Sequence, residues 1–229
     1  MTPKNNLRTD RIMAFLKAIK ENNNRPYFQE HKAEYEAAKK DFEDIVTELI
    51  AQIAEKDSTI AHLTAKDCIY RFYRDIRFSP DKSPYKRHFG AFIAPQGGHK
   101  SLISGYYLHL QPGESMLVTG TYILDKNQLH RMRDMLYGSF EEFKDIIDKP
   151  DFKKTFGDVT SMFQLKKMPI GYPADCEGAQ YMKYKDFIAL RNLTDEEVLN
   201  ADFAEKASLT FRTSIPFNLF INDTLTRED

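Results

Sequence analysis

The sequence predicts an α+β fold in which a central antiparallel meander is flanked by N-terminal and C-terminal helices. Three observations carry this: helix-period apolar spacing over residues 9–57, alternating residues with short turns over 66–124, and renewed helix caps over 125–229. No internal repeat, low-complexity tract or linker marks a boundary, so residues 1–229 read as one globular domain.

Thr9 and Asp10 precede Ile12, Phe15, Leu16 and Ile19, whose three-and-four spacing makes one stripe of a first helix. Asn22-Asn23-Asn24 ends it. Asn24 then caps a long second helix, and Pro26 suits its first turn, where a missing N–H costs no internal bond. The apolar stripe of that helix runs from Phe28 and Tyr35 through Phe42, Ile45 and Leu49 to Ile53.

From about Lys66 the pattern alternates. Tyr70, Phe72, Ile76 and Phe78 fall on one side of an extended segment and Arg71, Tyr73, Asp75 and Arg77 on the other, which predicts a strand. Further strands are expected at 88–94, 103–111 and 116–124, joined by Gln96-Gly97-Gly98-His99 and Gln111-Pro112-Gly113-Glu114 as turns. Such short connections favour antiparallel pairing.

Asp125 caps a helix holding Leu129, Met132, Met135 and Leu136, and the pairs Ser139/Glu142 and Thr194/Glu197 have capping-box spacing. Residues 150–177 are rich in proline and glycine and are expected to wrap the surface, with 166–176 as a cover over a site. Residues 186–191 add a strand, and Pro216 kinks or restarts the last helix.

Lys and Arg number 33 against 34 Asp and Glu, a formal charge of -1, so no global field draws the chain to nucleic acid or lipid. Any attraction to anions is local. Cys68 and Cys176 stand far apart without a C-x-x-C pair, which argues for reduced packing residues and against a disulfide framework or structural zinc. The first six residues hold no apolar stretch for a signal peptide and no run is long enough to span a bilayer, so the cytoplasm is the expected compartment and a membrane is not a partner. The six histidines lack ligand spacing, and neither a P-loop nor a nucleophile elbow occurs, so no metal or cofactor is expected.

Residues 69–92 depart from this neutral background. They hold six cations, Arg71, Arg74, Arg77, Lys82, Lys86 and Arg87, against the carboxylates Asp75 and Asp81, interleaved with aromatic rings. Guanidinium forks in a partly dry setting bind phosphate or carboxylate well. The expected ligand set is Arg71, Tyr73, Arg74, Arg77, Lys82, Tyr85 and Lys86, with Asp75 orienting an arginine and the prolines of 79–86 fixing the loop. Arg74 shares a side with Phe72 and Ile76, where an unpaired charge costs on the order of several kcal/mol, so it requires a partner. By composition alone the same residues read more readily as salt-bridged and snorkelling side chains on a half-exposed strand, with the rings filling the core.

In Gly105-Tyr106-Tyr107-Leu108-His109-Leu110, Tyr107 and His109 point away from Tyr106, Leu108 and Leu110. Pairing of strands would set them beside Arg71, Tyr73, Asp75 or Arg77 on a polar face. Histidine titrates near neutrality, so His109, Tyr107 and Asp75 are the catalytic candidates.

The runs Tyr73-Arg74-Asp75-Ile76-Arg77-Phe78, Asp81-Lys82-Ser83-Pro84-Tyr85-Lys86 and 105–110, with Asn22-Asn23-Asn24-Arg25 and the stretch 216–225, make the chain resemble family 2461 of domains of unknown function, over residues 12–225. The resemblance implies a globular α+β domain and brings no catalytic assignment, cofactor or substrate. This sequence has Asp175-Cys176-Glu177 where the family commonly reads Asp-His-Pro, so it lacks that histidine.

The leading expectation is an intracellular protein, and an enzyme on one version of it, that recognises a small phosphorylated or carboxylated molecule. The alternatives are a nucleic-acid-binding module, from cations interleaved with rings, and an interaction or scaffold domain without catalysis. Composition leaves the oligomeric state open.

Overall fold

The computed structural model describes residues 7–227; the stretch 1–6, read above for a leader, lies outside the described residues. Helix α1 (Thr9–Glu21) buries Ile12, Phe15, Leu16 and Ile19, the stripe that its spacing predicts. Helix α2 (Arg25–Glu30) opens with the Asn24 side chain accepting the Tyr27 N–H and with Pro26 in its first turn. The expected single long helix is divided at His31, whose ring stacks on Tyr27 with centroids 3.9 Å apart, and α3 (Lys32–Ala54) carries the rest of the stripe. This break frees Phe28 to stack on Tyr85 at 4.1 Å.

The strand expected from about Lys66 does not form. A short helix, α4 (Ala65–Cys68), comes first, and residues 70–88 are a loop folded on itself. Its limbs meet through the Arg74 N–H to the Pro84 carbonyl and the Lys86 N–H to the Phe72 carbonyl, with isolated bridges at Tyr73/Tyr85 and Ile69/Ala91. Pro80 and Pro84 lack the N–H that a ladder needs, so pairing stays local. Alternation accordingly fails beyond Phe72: that ring is buried, Ile76 is half-buried and Phe78 is 93% exposed.

The sheet is a meander of β1 (Phe89–Ile93), β2 (Gly105–Leu110), β3 (Ser115–Thr121) and β4 (Phe187–Leu193), all antiparallel and ordered β1-β2-β3-β4. Direct cross-strand partners share a face. Ala91, Leu108 and Leu117 form one row, and Ile93, Tyr106, Thr119 and Ala189 the next; these are buried beneath helices. One core cluster on that face joins α1 and α3 to α10 (Phe203–Thr213), and a second joins β4 to the C-terminal helices.

The opposite face is open. Its rows are Gly90, His109, Met116 and Asn192, then Phe92, Tyr107, Val118 and Leu190; apart from Gly90 these are half-buried or exposed. The alternation within 105–110 is therefore as the sequence predicts.

Between β3 and β4 come α5 (Lys126–Gly138), α6 (Phe140–Ile147), α7 (Pro150–Phe156) and α8 (Ala179–Met182), and past β4 come α9 (Asp195–Leu199), α10 and finally α11 (Ile215–Thr226). The capping boxes at Asp125 and Thr194 form, but the Ser139 side chain caps nothing. Its backbone N–H closes α5 on the Met135 carbonyl at φ -143°, ψ 45°, away from the extended geometry a capping side chain needs. Helix α7 arises inside the stretch expected to be loop, because Pro150 starts it and Phe152 and Phe156, four apart, both bury. Pro216 restarts the chain as α11. Among the described residues no helix is long and apolar enough to cross a membrane, and Cys68 and Cys176 are free thiols.

Candidate functional site

The cations of residues 71–87 divide into two groups. Arg74, its side chain 25% exposed, donates to Asp81 at 2.6 Å, to the Ser83 hydroxyl at 2.5 Å and carbonyl at 3.1 Å, and to the Ser79 hydroxyl at 3.2 Å. The partner it requires is thus its own loop. Hydrogen bonds from Ser83, and then from Arg74, hold the Asp81 carboxyl down to about 2. Asp75 does orient an arginine, but in solvent: Arg77 lays its fork on that carboxylate at 3.0 and 2.7 Å and lowers its pKa. Lys82 donates to the Ile76 carbonyl at 3.0 Å, and Arg87 stands 3.9 Å from Asp81.

Tyr85 faces the core, and Asn23 holds its backbone from both sides, accepting its N–H at 3.1 Å and donating to its carbonyl at 3.0 Å. Tyr73, half in solvent, packs edge-on to Tyr85 and Phe28. Arg74, Arg77, Lys82, Tyr73 and Tyr85 therefore share no hollow with Tyr107 and His109. The alternation that placed them there requires a strand, and the chain makes a loop.

Arg71 and Lys86 form the second group: among the described residues neither makes an ion pair. Arg71 is exposed. Lys86 is half-buried with its ammonium 5.3 Å from the centre of the Tyr70 ring, and burial, then Arg71, lowers its pKa. A half-buried ammonium without an ion-pair partner marks a place where an anion is favoured.

Beside it runs a line of polar rings on the open sheet face. The Tyr70 and Tyr107 rings meet edge-on at 6.3 Å, and the Tyr107 hydroxyl lies 3.0 Å from His109 Nδ1. His109 Nε2 lies 3.2 Å from Gln111 Oε1, and the His88 ring packs 4.2 Å from that of His109. With the amide oxygen accepting, Nε2 carries the proton and Nδ1 accepts from the tyrosine; the network assigns this tautomer. Burial raises the Tyr107 phenol to about 12. Burial, His109 and Lys86 push His88 down to about 3, and burial lowers His109. Both imidazoles are neutral at pH 7, which leaves Lys86 and Arg71 as the charge.

The structure thus brings together Arg71, Lys86, Tyr107 and His109 from the expected set, and adds Tyr70, His88, Gln111 and Gly90. Asp75 is occupied by Arg77 and takes no part. The added residues have no motif of their own: Gly90 and His109 become neighbours only through the β1/β2 register. Among the described residues, no group of three or more His, Cys, Asp and Glu side chains is placed to hold a metal.

Two clefts lie away from this face. One of about 540 Å³ is bounded by the α5–α6 junction and Pro173, Asp175, Cys176 and Glu177, and one of about 460 Å³ lies between β4, α7 and α10. The stretch 166–176, expected as a cover, packs on α5, where the Tyr172 hydroxyl donates to Asp134 at 2.6 Å. Both clefts are lined by mixed or acidic side chains, whereas the sheet face joins unpaired cations to a hydrogen-bonded Tyr–His pair.

Comparison with curated proteins and with solved structures gave no match. A family model does match, over residues 11–220, which runs from within α1 into α11 and takes in the folded loop and the whole sheet. On that match the chain belongs to the family described as "Conserved hypothetical protein (DUF2461)".

Proposed function

We propose that this protein binds a small phosphorylated or carboxylated molecule against the open face of its sheet. Lys86 and Arg71 meet the anionic group, and Tyr107 and His109 contact the remainder. The observation that carries the reading is Lys86, a half-buried ammonium beside the Arg71 guanidinium that makes no ion pair among the described residues. An incoming anion supplies the missing charge and gains from the reduced solvation there.

The Tyr107–His109 pair also suits proton exchange. A neutral imidazole that accepts from a phenol can take up the phenol's proton as the phenolic oxygen takes one from a ligand. This is the version in which the protein is an enzyme. The cytoplasm, with reduced Cys68 and Cys176, is the compartment we propose for it.

The test is a thermal-shift screen of small phosphates and carboxylates, repeated with Lys86→Met, Arg71→Ala and Arg77→Ala. Ligands should shift the wild type and Arg77→Ala alike, and shift Lys86→Met and Arg71→Ala far less. An equal response in all four proteins would remove the site.

A further inference from the structure

Beyond the end of β3 the chain leaves large apolar side chains in solvent. Tyr122 and Ile123 are 58% and 61% exposed, and Met162 and Phe163 beside them are 64% and 46% exposed, with the Tyr122 and Phe163 ring centroids 6.2 Å apart. The backbone brings them together. The Leu124 N–H donates to the Lys185 carbonyl and the Lys185 N–H to the Phe163 carbonyl, so three segments run side by side. Ile123 sits at φ 54°, a left-handed conformation that β-branched residues rarely adopt. Exposed apolar residues that are grouped in this way mark contact surfaces, whereas scattered ones do not.

The exposed charge within these segments is positive. In residues 122–124, 160–171 and 182–187 the charged side chains are Lys166, Lys167, Lys183, Lys185 and Asp186. Asp186 is fully buried and accepts from the Ser161 hydroxyl and from the N–H groups of Met162 and Phe163. None of the four lysines makes an ion pair among the described residues. The flanking carboxylates Asp125 and Asp158 keep their charge, accepting only from neutral donors, the Gln128 N–H and the Tyr181 hydroxyl, and neither pairs with any of the four lysines. A chain of formal charge -1 thus gathers four lysines without an ion pair around an apolar centre.

We infer that this patch docks an acidic segment of another protein, whose carboxylates meet the lysines and whose apolar side chains cover Ile123, Met162 and Phe163. An apolar centre with aromatic and methionine side chains inside a polar rim is the anatomy of a protein interface. The Met162 thioether adapts to the shape of an incoming side chain. Ile123 and Met162 offer no flat face to a nucleobase, which favours a protein segment over single-stranded nucleic acid. The inference is independent of the ligand reading for the open sheet face.

The experiment uses the full chain and four probes: a labelled glutamate-rich peptide carrying leucine and phenylalanine, its lysine-for-glutamate counterpart, phosphatidylserine vesicles, and a single-stranded oligonucleotide. The acidic peptide should bind, weaken with salt, and lose about tenfold or more in affinity on Lys166→Glu/Lys167→Glu and on Phe163→Ser. The melting temperature of the lysine variant should match that of the wild type, since both side chains are exposed. Failure of the acidic peptide to bind, binding unchanged in both variants, or tighter binding of vesicles or oligonucleotide through the same residues would overturn the proposal.

Discussion

The hydroxyl of Tyr107 stands where a side chain at Gly90 would begin: a β-carbon there would lie 2.9 Å from that oxygen. Gly90 therefore admits the hydroxyl to the bond it makes with His109. Because the obstructed atom is the tip of a side chain, Gly90→Ala should leave the fold nearly intact, at a cost of about 1 kcal/mol for the lost hydrogen bond. The measurable loss should appear in the imidazole resonances of His109 and in ligand-induced thermal shifts. Unchanged resonances would show that Tyr107 keeps its place.

Asn23 serves the folded loop as a strand neighbour would, with one donor and one acceptor on the Tyr85 backbone. Asn23→Ala removes both partners from a buried residue and should destabilise the protein by roughly 1–3 kcal/mol. Chemical denaturation measures the loss, and faster amide exchange at Tyr85 localises it. Asn23→Asp keeps the acceptor alone and should fall between the two.

Arg74 gathers Ser79, Asp81 and Ser83 around one guanidinium and so closes the exposed tip of the same loop. Arg74→Ala should expose residues 76–84 to proteolysis at a rate well above wild type, with a stability loss of about 1 kcal/mol for this partly exposed network. Arg74→Lys should restore little, because an ammonium cannot span three partners in a plane. Limited proteolysis followed by mass mapping of the cut sites decides it.

His88 supplies a pH dependence. Its folded pKa is pushed down to about 3 from 6.5, so the folded state keeps it neutral while the unfolded chain takes up a proton. The stabilisation is fully present above pH 6.5 and is lost progressively as pH falls toward 3. His109, also lowered, acts in the same direction. Replacing His88 with glutamine should flatten the stability profile across that window by roughly 1–2 kcal/mol, after allowing for partial solvent screening. Identical profiles for wild type and variant would contradict it.

Most elements were legible because their signals are local. Asn24, Asp125 and Thr194 cap helices through atoms a few bonds away, and the alternation in 105–110 separates Tyr107 and His109 from Leu108 whatever the strands pair with. The misread segment, 70–78, shows the limit: its alternation of charge and ring is real, but two prolines and the Arg74 network favour a loop over a ladder. Helix α7 was hidden for the opposite reason, since proline and glycine at its two ends resemble a turn-rich surface stretch.

The sequence by itself determined the α+β class, the family, the antiparallel meander and the basic character of residues 69–92. Only the tertiary structure decided which of those cations are neutralised, because that depends on loop closure bringing Asp75 and Asp81 within hydrogen-bond reach of Arg77 and Arg74 while leaving Arg71 and Lys86 without one. It also decided that His88, Gly90 and His109 are neighbours, since strand register is set by packing the opposite sheet face against the helices.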